Sequence, residues 1–310
     1  MDIGATKIRC ALFNSPGEMI QKVTAPTPKE GVDAISRRVI ELIDSFRHRT
    51  SIVGIGIGSI GPIDMKRGII LVAPNLDLRN IPIVKPIKEE FKLPVAFLND
   101  CVAAVNGEKT FGAGKDVNNL VYVTFSTGIG GGVYVDGHLL LGKDGNAHEV
   151  GHFVVDNRRN LKCGCGGFGH WEAYCSGRNL PNFARVLIEE LYSSKLERSY
   201  LMEACEGDLN RISVEMMYEG AKRNDELCVK ILGEVNDLNA RGLACIINAY
   251  DPELISIGGA IAMNNPDLVV GPVVKNVGRY TANRVPEILL TPLGEDVVLY
   301  GAFASIRNMF

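Results

Sequence analysis

The sequence predicts an α/β protein of two domains, on three observations. Strand-like and helix-like stretches alternate along 310 residues, a length that corresponds to about two domains at roughly 150 residues each. Glycines cluster where the strands end, which is where open α/β sheets place their ligands. Two turns of similar polar-Gly-Thr character, residues 2–7 and 126–131, each face hairpin strands, about 120 residues apart. Two such turns suggest related domains clasping one nucleotide. The composition, 46% hydrophobic and 22% charged, is ordinary globular usage and excludes disordered and fibrous classes. The net charge of −3 comes without a basic run, which argues against a nucleic-acid partner. No apolar stretch reaches the ~20 residues that cross a bilayer, and no signal peptide opens the chain. A cytoplasmic protein with no membrane partner is expected.

The elements follow in order. Residues 8–14 read as a strand and Asn14-Ser15-Pro16-Gly17 as its turn. Val32, Ile35, Val39, Leu42, Ile43 and Phe46 fall at helical spacing and predict an amphipathic helix over 32–49. Residues 52–57 form a β-rich run that ends in Gly58-Ser59-Ile60-Gly61-Pro62. A strand over 95–98 ends at Asn99-Asp100 and feeds a helix over 101–110. A strand over 120–125, a turn at Ser126-Thr127-Gly128 and a strand over 131–135 come next; Asp136-Gly137 then makes a hairpin with 139–141. The segment 142–178 is irregular and glycine-rich, and 180–250 is mostly helical. A buried-type strand over 254–257 runs into Gly258-Gly259-Ala260, and 301–310 reads as a short apolar helix.

Four groups of residues carry candidate chemistry. In Asp2-Ile3-Gly4-Ala5-Thr6-Lys7, glycine permits a tight turn whose N–H groups and Thr hydroxyl face phosphate oxygens. Asp2 there suits a Mg²⁺ ion held through water; the alternative is an ordinary hairpin turn. Thr124 to Gly132 reads TFSTGIGGG, and glycine weakens a strand by about 0.5–1 kcal/mol relative to alanine. Close approach of a ligand to the backbone explains such a run, which matches neither the P-loop nor the dinucleotide fingerprint. At Asn99-Asp100, a carboxylate at a strand end suits a base that takes a proton from an attacking hydroxyl. Equally, either residue is a favoured helix N-cap.

The fourth group is His152, Cys163, Cys165 and His170. Zinc takes four tetrahedral N and S ligands, so the group is a candidate metal site; a redox pair or a flexible loop is the alternative. His148 and Cys175 lie near as spare ligands, with His148 directly before Glu149. The polar set Glu149, His152 and Glu172 around the cluster suits sugar hydroxyls; the alternative is ordinary solvated surface groups. The remaining cysteines, Cys10, Cys101, Cys205, Cys228 and Cys245, read as small packing residues.

Together DIGATK, TGIGGG, EVGH and CGCGGFGHWE resemble the ROK family of repressors and sugar kinases, within the actin-like ATPase superfamily. The resemblance covers essentially the whole chain in the expected motif order. It implies a two-domain actin-like kinase fold: a small domain of 1–110 plus 297–310, and a large domain of 111–296 that carries the zinc loop. Sugar and nucleotide would meet in an interdomain cleft. It implies an ATP-dependent hexose kinase that transfers the γ-phosphate to a hexose 6-hydroxyl, glucose first, with N-acetylmannosamine or N-acetylglucosamine as alternatives. A sugar-responsive repressor of the same family is the rival; no helix-turn-helix precedes the phosphate motif, which counts against it. By resemblance, Asp2, Gly4, Thr6 and Lys7 match the first phosphate motif. Thr127, Gly128 and Gly130 match the second, and Gly258, Gly259 and Ala260 the adenosine motif. Gly61, Asn75, Asn99, Asp100, Glu149, His152 and Glu172 match sugar-contacting positions, with Asp100 as the base. His152, Cys163, Cys165 and His170 match a structural Zn²⁺ site, and Mg²⁺ accompanies ATP. A homodimer or homotetramer is implied.

The chain departs from the family pattern at three places. His170 stands where a cysteine is usual, so a His₂Cys₂ zinc site is expected. His148 replaces a glycine before Glu149. Met1 directly precedes Asp2, so the first strand is expected to be nearly absent: either the natural start lies upstream or the sheet tolerates a shortened strand. The zinc loop is expected to fix sugar geometry, so loss of Cys163 and Cys165 is expected to weaken sugar affinity before nucleotide affinity.

Overall fold

A computed structural model describes residues 1–47, 51–73 and 78–309. Along the chain, β1 (Asp2–Ile3), β2 (Lys7–Phe13) and β3 (Met19–Pro26) lead to α1 (Ala34–Asp44). Then come β4 (Ile55–Ser59), β5 (Ile63–Asp64), β6 (Ile69–Ala73), β7 (Leu78–Pro82), α2 (Val84–Phe91), β8 (Val95–Asn99) and α3 (Asp100–Thr110). After β9 (Leu120–Phe125), β10 (Ile129–Val135) and β11 (His138–Leu139), an irregular stretch reaches α4 (Glu172–Cys175). The helices α5 (Leu180–Leu187), α6 (Ser193–Leu196), α7 (Tyr200–Ala204), α8 (Val214–Lys222) and α9 (Glu226–Tyr250) follow. The chain closes with β12 (Leu254–Gly258), α10 (Ala260–Asn264), α11 (Pro266–Val277), β13 (Glu287–Leu290) and α12 (Val297–Arg307).

The first sheet has the order β3-β2-β1-β4-β8, the second β11-β10-β9-β12-β13, and a small one β5-β6-β7. Though only two residues long, β1 is central: Asp2 pairs antiparallel with Arg9 and parallel with Gly58. Parallel pairing of β4 with β8 aligns Ser59 with Asn99, so both strands end at the same level. Against this sheet α1 buries Ile35, Val39, Leu42 and Ile43, the stripe that the helical spacing picked out. The helix is shorter than expected. It starts after Asp33, with Val32 40% exposed ahead of it, and Arg49, its expected last residue, lies outside the described residues.

Two compact units emerge: Met1–Tyr122 with Gly131–His148 and Thr291–Phe310, and Val123–Gly130 with Glu149–Leu290. They differ from the expected boundaries in assigning 111–122, 131–148 and 291–296 to the first unit. That unit is tied together by α3 and α12, whose backbones touch. A Cβ at Gly301 would overlap the Ala103 carbonyl, and one at Gly107 would lie 2.6 Å from the Val297 carbonyl oxygen, so only glycine permits the approach. Beside this contact the fully buried Glu108 carboxylate accepts the Ala113 N–H at 2.9 Å and the Thr291 hydroxyl. These partners compensate its burial. In the second unit, α9 buries one face along its 25 residues. Its N-cap Asp225 accepts the Cys228 N–H at 2.9 Å, the Tyr200 N–H at 2.7 Å and the Ser199 hydroxyl at 2.9 Å. Of the packing cysteines, Cys10, Cys101, Cys205 and Cys228 are buried as expected, but Cys245 is exposed on α9.

Candidate functional site

The first turn lies between β1 and β2. The Gly4 N–H donates to the Lys7 carbonyl at 3.0 Å, and the Thr27 hydroxyl donates to the Gly4 carbonyl at 2.8 Å. Thr6 and Lys7 stand exposed at its tip, and Lys7 Nζ lies 3.7 Å from Glu295. Asp2, 7% exposed, meets a partner that the motif does not contain. Arg9 Nε donates to Asp2 Oδ2 at 2.8 Å, and Nη2 donates to the same oxygen. Arg9 is the residue directly across the hairpin from Asp2, so strand register alone delivers the pair. Any water-mediated Mg²⁺ contact of Asp2 therefore shares the carboxylate with a guanidinium.

At the end of β8 the two roles weighed for Asn99 and Asp100 separate. Asn99 caps α3, its Oδ1 accepting the Cys101 N–H at 2.8 Å and the Val102 N–H at 3.4 Å. Gly61 leaves room for the Asn99 Nδ2, which is 2.8 Å from where a Cβ would stand. Asp100 is the first residue of α3 and half-buried; its Oδ1 accepts the Cys101 N–H at 2.8 Å. Asn75 lies outside the described residues.

The second turn joins β9 to β10, with Thr127 exposed at its tip and Gly130 inside β10. Packing also demands the absence of a Cβ at two positions of the glycine run, Gly128 in the turn and Gly132 in β10, besides any approach of a ligand. A Cβ at Gly132 would overlap the Cys101 carbonyl of α3, and one at Gly128 would lie 2.7 Å from Glu172 Oε2. Glu172 Oε2 accepts the Ile129 N–H at 3.0 Å, so this carboxylate grips the turn. Gly258 closes β12, Gly259 takes a φ of 88° that favours glycine, and Ala260 opens α10. Beside Ala260 a cavity of about 470 Å³ is lined by Tyr200, Tyr218, Glu219, Lys222 and Asn264, within the ordinary size of a small-molecule site. None of these five was singled out in the sequence, because they come from three helices separated by loops. A cavity of about 710 Å³ in the first unit, lined by Lys66, Lys88, Phe97 and Tyr134 among others, holds none of the predicted site residues.

The irregular loop gathers His152, Cys163, Cys165 and His170, whose ligand atoms all lie within 4.8 Å of one another. His152 Nδ1 is 3.3 Å from His170 Nδ1 and 3.8 Å from Cys163 Sγ, and Cys165 Sγ is 3.3 Å from His170 Nδ1. A tetrahedron with Zn–N of about 2.0–2.1 Å and Zn–S of about 2.3 Å has edges of roughly 3.3–3.8 Å. The donor set and these spacings therefore fit a zinc ion. The other face of His152 completes a familiar arrangement: its Nε2 lies 3.6 Å from Glu149 Oε2, and a ligating imidazole usually turns its second nitrogen to a carboxylate. Burial and the neighbouring His152 hold His170 below the usual imidazole value, against Glu172. It is thus neutral and able to offer a lone pair. Burial pushes the Cys163 thiol up to about 11, so a cation is what would make it a thiolate at neutral pH. Cys175 is not part of the group: it is buried, and its thiol donates to the Val235 carbonyl at 3.5 Å. His148 is also apart, 2% exposed with Nε2 3.1 Å from the Gly145 carbonyl.

Residues 1–308 match the model of the ROK family. The chain belongs to the ROK family. It is 39% identical over 304 residues to a glucokinase of Pyrobaculum calidifontis, covering 98% of this chain and 93% of that protein. A glucokinase of Aeropyrum pernix is 35% identical, covering 99% and 96%. Among solved structures, a ROK family glucokinase from Streptomyces griseus in complex with glucose and AMPPNP superimposes with a TM-score of 0.81. It is 30% identical and the match covers 99% of this chain and 98% of that one. As in those relatives, the fold is the two-domain actin-like kinase fold expected from the motifs.

Proposed function

We propose that the protein is an ATP-dependent hexose kinase that phosphorylates the 6-hydroxyl of glucose, with N-acetylmannosamine and N-acetylglucosamine as the alternative acceptors. The full-length likeness to glucokinases, at 39% identity, carries this reading, and the local chemistry supports it. Phosphoryl transfer needs chiefly positioning and charge neutralisation. Asp100 takes the proton of the attacking hydroxyl. Asn99, whose Oδ1 is committed to the α3 cap, offers its Nδ2 to the sugar beside Gly61. Glu149, His152 and Glu172, with Asn75, hold the remaining hydroxyls. The turn with Gly4, Thr6 and Lys7 and the turn with Thr127, Gly128 and Gly130 receive the phosphates. Gly258, Gly259 and Ala260 receive the adenosine, with Ala260 lining the neighbouring cavity. Mg²⁺ bound with ATP supplies further charge neutralisation. His152, Cys163, Cys165 and His170 hold Zn²⁺, which supplies rigidity to the loop and no chemistry of its own. The reading includes a cytoplasmic enzyme that assembles as a dimer or tetramer. No helix among the described residues is long and apolar enough to cross a membrane.

A coupled ADP-release assay across glucose, mannose, N-acetylglucosamine and N-acetylmannosamine tests the reading. The highest kcat/KM is expected with glucose. No sugar-dependent ADP release from the folded chain would refute the kinase assignment; an N-acetylhexosamine optimum would select the alternative.

A further inference from the structure

The segment from His170 to Arg178 touches the metal-ligand cluster at one end and the second glycine turn at the other. His170 belongs to the cluster. Next to it, Trp171 is fully buried; its Nε1–H donates to Asn239 at 2.8 Å and its ring meets Phe125 edge-on at 5.6 Å. Glu172 then spans the gap. Its Oε2 accepts the Ile129 N–H at 3.0 Å, while its Oε1 lies 3.9 Å from Cys163 Sγ. Beyond α4, the Gly177 N–H donates to the Ser126 carbonyl at 2.8 Å and the Arg178 N–H to the Thr127 carbonyl at 3.1 Å. The turn is therefore held on both sides by one nine-residue segment whose first residue is a metal ligand. A phosphate on such a turn depends on where its backbone N–H groups point, and by holding the Ser126 and Thr127 carbonyls the segment fixes the peptide planes that carry the Thr127 and Gly128 N–H groups.

We propose that this segment is a strut, with Glu172 as its positioning residue, through which a divalent cation in the His/Cys cluster raises the affinity of the second glycine turn for a nucleoside triphosphate. The proposal rests on the kinase reading and deepens it. It redirects the consequence of metal loss. The sequence alone pointed to the sugar, whereas the hydrogen bonds of Glu172, Gly177 and Arg178 lead to the nucleotide. His170 and Glu172 are separated by one residue, and that residue is pinned in the core. A cation that draws His170 and Cys163 together therefore sets the position of the Glu172 carboxylate beneath the turn.

Calorimetric titration with AMPPNP and Mg²⁺, in the absence of sugar, tests the strut without turnover. The full-length protein is used zinc-loaded, and again after chelation and desalting, with metal content measured by mass spectrometry. Metal removal is expected to weaken AMPPNP binding at least fivefold. Glu172→Ala is expected to weaken it by a similar factor, and Glu172→Gln, which keeps an acceptor oxygen for the Ile129 N–H, to restore most of it. In Glu172→Ala, metal removal is expected to add less than a twofold loss, because coupled sites are not additive. Nucleotide affinity that ignores the metal, or losses that simply multiply, would overturn the strut while leaving the kinase reading intact. So would a folded chain that takes up no metal. A folded, zinc-loaded chain that binds no AMPPNP overturns the phosphate reading of the turn as well. Should Glu172→Ala not fold, the comparison of Glu172→Gln and the parent chain with and without metal decides.

Discussion

Placing one methyl group under Trp171 tests how tightly the candidate site is seated on α9. Gly242 faces the Trp171 ring so closely that a Cβ would overlap several of its atoms. In an exposed helix interior, Gly→Ala gains about 0.8–1.0 kcal/mol. Here the ring cannot yield, because Trp171 is fully buried and hydrogen-bonded to Asn239, itself 2% exposed. Overpacking of a rigid core costs about 1–3 kcal/mol, and overlap with a ring rather than a flexible tip belongs at the upper end. The net expectation for Gly242→Ala is a destabilisation of about 2 kcal/mol, or roughly 4–8 °C in the melting temperature of a unit of roughly 150 residues. Trp171 is the only tryptophan in the sequence, so its fluorescence reports unfolding of this unit directly. A melting temperature equal to or above that of the parent would show that the ring has room and would refute the argument.

Three further outcomes follow from the site and its supports. Asp100→Asn should keep glucose binding while kcat drops by about 10²–10⁴, the usual contribution of a general base; near-normal turnover in the ADP-release assay would remove Asp100 from the role. Replacing Cys163 and Cys165 together by Ser should abolish zinc uptake, read as metal per chain, and a full equivalent retained would contradict the ligand set. Burial raises the Asp225 carboxyl, but hydrogen bonds from Cys228, Tyr200 and Ser199 outweigh it and hold the group below its ordinary 3.8. The folded form thus binds its proton less readily than the unfolded one. The stability it supplies is complete above pH 3.8 and is lost as pH falls through the lower folded value. Asp225→Asn should flatten the fall in unfolding free energy over that window, and an unchanged slope would count against the assignment.

Much of the fold was legible because local signals coincide with it. The expected strand over 120–125 is β9, and that over 254–257 is β12 without its last residue. Helix 101–110 is α3 with Asp100 added by the Asn99 cap. The candidate metal-ligand group is legible for the same reason: Cys163, Cys165 and His170 fall within one short loop, and only His152 is contributed from further back. What stayed hidden depends on distance along the chain. Glu172 reaches Ile129 across 43 residues. The cavity beside Ala260 takes residues from α7, α8 and α10. No spacing rule in one sequence encodes such meetings. The strand β3 was missed because its alternating half-exposed residues lack the apolar signal of a buried strand. Glycine density is a two-sided signal in the TGIGGG run, since a close helix and a carboxylate demand the absence of Cβ as strictly as a ligand does.

The backbone contact between α3 and α12 sets a timetable for synthesis. Ala103 and Gly107 leave the ribosome long before Gly301, and roughly 150 residues of the second unit are interleaved before the last stretch of the first. At about 5–20 residues per second, the groove over α3 waits for roughly ten to forty seconds for the helix that fills it. During that interval the newborn first unit is a core with one wall missing, and its apolar α3 face is open to any holdase or neighbouring chain. The second unit, nearly continuous in sequence, meets no such delay and can finish first. The second unit's residues are thus all made before the last stretch of the first, although most of the first is translated earlier.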